Sequence, residues 1–153
     1  MANLISSEHR ITAMSTIALE KVRALEAFAE NVPQIDVETH HAIHGGMYAR
    51  TIKLPAGCVL TGAFIKVPTM LVVHGACTVY VGDETVHLDG HQVIAASAGR
   101  KQAFVSHEDT DLTMIFATSA QSVEQAEDEF TDEGSKLMSR KPWAMNVITI
   151  TGE

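Results

Sequence analysis

The spacing of hydrophobic positions along the chain changes twice. In residues 7–30, SEHRITAMSTIALEKVRALEAFAE, the residues Ile11, Met14, Ile17, Val22, Leu25 and Phe28 recur at intervals of three to five. That period predicts an amphipathic helix, with Ser6 or Ser7 as its N-cap and Pro33 as its end. The polar face mixes Glu20, Lys21, Arg23, Glu26 and Glu30. A face of mixed sign suits packing against the chain's own core or a partner rather than a membrane surface.

From Gln34 to Thr118 the pattern shortens to strand-like runs. The predicted strands are 47–54, 58–66, 69–74, 76–81, 84–88, 91–97, 101–107 and 111–117. Pro-Ala-Gly, Val-Pro, His-Gly, Gly-Asp, Asp-Gly, Ala-Gly-Arg and Glu-Asp-Thr separate them, and these are turn-forming sequences. Short strands with close turns and no helix among them predict a mainly β fold, a jelly-roll barrel. At Ser119 the period returns to helical. SAQSVEQAEDEFTDEGSKLMSRK predicts an acidic helix broken near Gly134, with Ser122 and Gln125 as a capping box. After Pro142 and Trp143, NVITITGE predicts a final strand. The expected organisation is a helical extension over 1–33, a barrel over 34–118, and a helix with a last strand over 119–153.

Composition narrows the function. The 153 residues carry a formal charge of -8, with a pI near 5.4. Such a chain lacks the basic face that nucleic acid or an anionic membrane requires, so neither is expected as a partner. Cys58 and Cys77 both fall in apolar runs and are expected to be buried thiols rather than a disulfide. The polar start MANLISSEHRITAM lacks the apolar core of a signal peptide, and no apolar run is long enough to span a membrane. A cytoplasmic location follows as the expectation, the host cytoplasm if a phage encodes the protein.

Two longer stretches, GMYARTIKLPAGCVLTGAFIK (46–66) and AGRKQAFVSHEDTDLTMIFAT (98–118), together with AEDEFTDE (126–133), resemble the cupin superfamily. More narrowly, they resemble small cupin-like proteins of tailed phages and prophages. The resemblance implies a cupin barrel with flanking helices, usually dimeric, and brings no established reaction or ligand. In metal-binding cupins a His-x-His pair follows the first turn, then a carboxylate, with a further histidine in the second block. Counting from Gly57 puts the pair at Ala63 and Ile65. Counting back from Gly75 puts the carboxylate at Thr69 or Met70, and the second-block position falls at Gln102. These side chains lack the three or four converging donors that a divalent metal needs, so no metal and no cofactor is expected there. His40, His41 and His44 in THHAIHGG are the alternative candidates for a metal site. No nucleophile elbow, phosphate loop or dinucleotide fingerprint is present.

Inward-facing Ala63 and Ile65 would carry Val59 and Thr61 inward with them. Leu60, Gly62, Phe64 and Lys66 would then face outward. An outer face holding Leu60 and Phe64 must be covered by the N-terminal helix or by a second subunit, and a homodimer, or a higher oligomer containing it, is the expectation. On the preceding strand Tyr48, Arg50, Ile52 and Leu54 share one face. If that face is the interior, Arg50 requires either a carboxylate or an anionic ligand. Arg100 and Lys101 stand at the turn before Gln102, where they would form a positive mouth. The candidate ligand-binding residues are therefore Tyr48, Arg50, Arg100, Lys101 and Gln102, with no catalytic residue and no metal ligand. The leading expectation is a non-catalytic, metal-free, phage-type cupin that binds a small anionic molecule and so sequesters a host signal. A structural or accessory virion module and an atypical metal-dependent enzyme remain the alternatives.

Overall fold

The computed structural model describes residues 10–81 and 84–153. Ser6, Ser7 and Gly82-Asp83, where the sequence predicts a turn, lie outside the described residues. In chain order the elements are β1 (Arg10–Ile11), α1 (Thr16–Ala29), β2 (Glu38–His44), β3 (Met47–Leu54), β4 (Val59–Thr61), β5 (Thr69–Val81), β6 (Glu84–Ala96), β7 (Ala103–Ser106), β8 (Thr110–Ala117), α2 (Val123–Phe130) and β9 (Met145–Ile150). Two 3-10 turns, Gly134–Lys136 and Met138–Arg140, join α2 to β9. No helix among the described residues is long and apolar enough to cross a membrane.

The strands follow the order β1-β6-β5-β8-β3-β2-β9, and a second path runs from β5 through β7 to β4. One hairpin belongs to both layers. The first half of β5 pairs with β8, its second half pairs with β7, and β6 pairs along its whole length. This is a cupin-type jelly roll, mainly β, with helices on both sides of the barrel in sequence. The β5/β6 hairpin was expected as four short strands, because His74-Gly75 and Asp89-Gly90 look like breaks. Instead Gly75 and Gly90 stand opposite each other in register, both at positive φ. There the ribbon passes from one sheet to the other without losing its pairing. A side chain at Gly75 would meet the Asp109 carbonyl and the Thr110 hydroxyl at 2.6 Å, so the close approach needs glycine.

The helices differ from expectation at their ends. Ser15 caps α1, its hydroxyl accepting from the Ala18 amide at 3.1 Å, and Ile11 belongs to a strand. The inward stripe is Ala18, Leu19, Val22, Leu25, Glu26 and Ala29, whereas Ile17 and Phe28 are exposed. Val22 and Leu25 of the predicted stripe therefore face inward, while Ile17 and Phe28 do not. In α2, Ser122 caps the Gln125 amide at 3.2 Å as expected. The Gln125 side chain, however, accepts from Gln121 rather than from Ser122. The helix ends at Phe130, before Gly134.

Alternation puts Tyr48, Arg50 and Leu54 inside on β3, and Leu112, Met114 and Phe116 inside on β8. The expected alternation over 58–66 fails. Strand β4 stops at Thr61, residues 62–64 are irregular, and one bridge pairs Ile65 with Arg100. The break resets the phase, so Leu60 packs inward opposite Phe104 while Val59 is exposed. Leu60 is thus not available as an outer interface residue. Cys58 and Cys77 are free thiols, Cys77 buried and Cys58 half-buried.

Candidate functional site

Between the two sheets lies a cavity of about 140 Å3. Its walls are mostly apolar: Ile52, Leu71, Leu112 and Met114 from the strands, with Leu60, Ala63 and Ile65 from the irregular crossing. Phe130, Leu137 and Met138 close one end, so the segment after the barrel completes the chamber. Arg50, Arg100, Lys136, Gln102, Glu26 and Glu133 supply most of the polar lining.

Arg50 and Arg100 are both buried on this wall but have different surroundings. Arg50 donates to Glu127 Oε2 at 2.7 Å and to Ser139 Oγ at 3.1 Å, and lies 5.5 Å from the centroid of the Phe130 ring. Glu127 also accepts from Ser139 Oγ, and from Arg140 Nε at 2.9 Å. Burial pushes the Glu127 carboxyl up, but the Ser139, Arg140 and Arg50 contacts outweigh it and hold the group below the ordinary value. The network continues through Tyr48, whose hydroxyl lies 2.7 Å from His41 Nδ1, while His41 Nε2 lies 2.7 Å from Asn146 Oδ1. Asn146 Nδ2 donates to the Ser139 carbonyl, which turns Oδ1 toward the ring. Nε2 is therefore the imidazole donor, and Nδ1 accepts from Tyr48. Burial is the main reason His41 falls below the usual histidine range. Arg50 has thus found its carboxylate. Tyr48 is wholly buried in this network and does not line the cavity.

Arg100 has no such partner. It is 2% exposed, and its guanidinium donates to three neutral oxygens: Thr69 Oγ1 at 2.7 Å, the Ser97 carbonyl at 2.7 Å and Gln102 Oε1 at 3.3 Å. Among the described residues no carboxylate pairs with it. An arginine offers five N–H donors, so two remain. Burial lowers its pKa to about 10. Beside it, Gln102 Nε2 is buried without a hydrogen-bond partner. Rotating the amide would set its NH2 against the Arg100 Nε–H, so the present orientation is the favourable one and the orphan donor is real.

Lys101, adjacent in sequence, points the other way and does not line the cavity. It is wholly buried, with Nζ at 2.8 Å from Glu26 and 3.0 Å from Glu133. Glu133 also accepts from Arg23 at 2.6 Å and from the Phe64 amide at 3.0 Å. Burial pushes its carboxyl up, but these donors bring it down to about 2. Lys136 stands 3.5 Å from Glu26. This cluster clasps α1 and the segment after α2 across the end of the chamber. Three cations meet two carboxylates there, so both carboxylates are already paired within the cluster.

The donor set at the expected metal position does not fit a divalent ion. Ala63 and Ile65 offer no donor atom, Gln102 offers one amide, and a buried guanidinium adjoins them. His40, His41 and His44 do not converge, because His41 faces inward while its neighbours on β2 face outward. His40 Nε2 stands 2.9 Å from Glu38 Oε1 without hydrogen-bond alignment, and His44 Nδ1 bonds Thr151 Oγ1. No group of three metal-ligating side chains occurs among the described residues. The Glu127, Ser139 and Glu133 positions were missed as partners of the barrel. The one available signal was an arginine on an inward strand face, which demands a carboxylate somewhere.

No protein-family model and no curated protein sequence matches the chain. Solved structures do. A cupin superfamily protein from Desulfitobacterium hafniense aligns with a TM-score of 0.47 at 13% identity, over 60% of this chain and 87% of its own. KdgF from Halomonas sp. gives 0.47 at 18% identity, over 59% and 87%. A cupin-2 domain protein from Shewanella frigidimarina gives 0.42 at 10%, over 61% and 91%. At these identities and scores they say nothing of this chain's chemistry, and the strand pairing itself defines the fold.

Proposed function

We propose that this chain is a non-catalytic, metal-free jelly roll that holds a small anionic molecule inside its barrel. The observation that carries the reading is Arg100, a buried cation on the cavity wall with neutral partners only. Burying a charge without a counter-charge is unfavourable, so a position that keeps one is poised to receive an anion. The same cation repels a divalent metal. The resemblance to phage and prophage proteins supports sequestration of a host signal as the biological setting. Size limits that signal: pockets for drug-sized ligands run roughly 300–1,000 Å3, and nucleotides belong to that class. A chamber of about 140 Å3 suits something smaller.

A second reading, an accessory or self-associating module, has one observation in its favour. Strand β9 ends the sheet, no strand among the described residues pairs with its outer edge, it has no charged side chain, and it exposes Met145, Val147, Ile148 and Ile150. Such an edge is a template for pairing with another chain. A homodimer joined there is the form we propose, in place of one joined through Leu60.

Native mass spectrometry of freshly purified protein, with metal analysis, tests both readings. The expected result is a dimer whose mass exceeds two bare chains by a small released molecule, with metal far below one per chain. Stoichiometric iron, manganese, nickel or zinc would overturn the metal-free reading. A bare dimer that co-purifies with virion proteins would favour the second reading.

A further inference from the structure

We infer that the ligand is a small monocarboxylate with a short apolar tail, its carboxylate held jointly by Arg100 and Gln102 Nε2. This rests on the ligand-binding reading above and narrows it to a chemical class. Two unused guanidinium N–H groups and one orphan amide NH2 make a donor set for two oxygens on a planar group. Guanidinium and carboxylate are both planar, which is why arginine favours carboxylates and phosphates over other anions.

The rest of the chamber chooses between those two. One uncompensated guanidinium balances a single negative charge. Arg50 cannot contribute a second, because Glu127 already holds it at 2.7 Å. Lys101 is occupied by Glu26 and Glu133, and Lys136, the other cation on the lining, stands beside the Glu26 carboxylate at 3.5 Å. A phosphate dianion would therefore be left half-balanced among Ile52, Leu60, Ile65, Leu112 and Met114, whereas a carboxylate's hydrocarbon tail would bury against them. Cavity size limits the tail, since an apolar cavity near 150 Å3 takes a molecule about the size of benzene. Four- to six-carbon acids, branched or cyclic, are the expected range.

Isobutyrate, isobutyramide and inorganic phosphate serve as probes, titrated calorimetrically in a buffer free of other carboxylates. Chemical shifts of the Arg100 Nε–H and the Gln102 side-chain amide, followed in nitrogen-15-labelled protein, locate the event. Isobutyrate should bind about tenfold or more tightly than its neutral, same-shaped amide, as expected for a charge-assisted hydrogen bond. Both side-chain signals should move. The decisive variant is Gln102→Glu, which keeps the three acceptors around Arg100 and places a carboxylate beside it. It should fold, and should bind isobutyrate at least about tenfold more weakly than wild type. Arg100→Met should lose binding as well, but it strips Thr69 and Ser97 of their donor, so the glutamate variant is the one that decides. Unchanged isobutyrate affinity in Gln102→Glu would overturn the assignment to this corner. If isobutyramide binds as tightly as isobutyrate, or phosphate binds and isobutyrate does not, the carboxylate class is wrong and the cavity reading survives. If none of the three binds, both fall.

Discussion

Two arginines line one chamber and have opposite roles. Arg50 closes a circuit with Glu127, Ser139, Tyr48, His41 and Asn146 that joins β2, β3 and β9 to the segment around α2. Arg100 is just as buried and has only uncharged acceptors. Burial and residue type are the same in both corners, so neither property reveals which arginine is structural. The counter-charge does. Where the chain supplies a carboxylate, the cation fastens the fold, and where it does not, the cation is left for something else.

The largest expected effect lies in the Arg50 corner. Glu127→Gln leaves Arg50 buried beside a neutral amide and weakens Arg140, at a cost of about 3–5 kcal/mol in urea denaturation. A loss below about 1 kcal/mol would mean that the circuit is not what holds the C-terminal segment down.

Next comes Lys101, the third buried cation and one with two carboxylates. Glu133 falls from an ordinary value of 4.5 to about 2 on folding, because the folded state stabilises its charged form. Its contribution is therefore fully present above pH 4.5 and is lost as the pH falls toward 2. That contribution is on the order of 2 kcal/mol. Melting temperatures measured across this window should drop for wild type. They should drop less steeply for Glu133→Gln, which begins lower at neutral pH. Parallel curves would remove Glu133 from the acid transition.

The smallest effect has the opposite sign and sharpens the comparison most. Gln102→Glu gives Arg100 the partner that Arg50 already has, so the ligand-free protein should gain about 1–3 kcal/mol at neutral pH. The gain should fade on acidification as the new carboxylate protonates. A destabilised variant would show that Arg100 is not short of negative charge.

The barrel was legible in the sequence because alternation and turn residues report directly on strands. Strand β3 was delimited at residues 47–54, as the structure has it. Strand β2 went unread, since THHAIHGG alternates polar with polar and has little apolar signal. The hairpin was cut at Gly75 and Gly90 because a lone strand shows glycine as a break. Only the register reveals that the two glycines face each other across a bend. The inward set at Leu60 was missed for a similar reason, since alternation cannot be extrapolated through the irregular residues 62–64. At the site, Arg50 could be recognised as needing a carboxylate, but not that Glu127 supplies it from far along the chain. In the sequence Arg100 reads as part of a positive mouth with Lys101, not as a residue buried on the chamber wall. Its burial depends on Thr69, Ser97 and the Ile65 crossing, which come together only in the fold.

The bent hairpin also sets an order of assembly. The β5–β6 pairs run from Val81–Glu84, with two residues between them in the chain, outward to Thr69–Ala96, so each step adds only a little loop entropy to the last. Strands β2 and β9 pair from opposite ends of the chain and must close the largest loop of all. Both sheets can thus begin from one shared rib, and the chamber's far wall, residues 130–138, arrives with the late partner. We expect the slowest-exchanging amides in β5 and β6 and faster exchange in β9, and the reverse ranking in a hydrogen-exchange experiment would reject this order. On this order the chamber that Arg100 shares with Phe130, Leu137 and Met138 would close in the last step, the step at which an incoming anion could take the place of water.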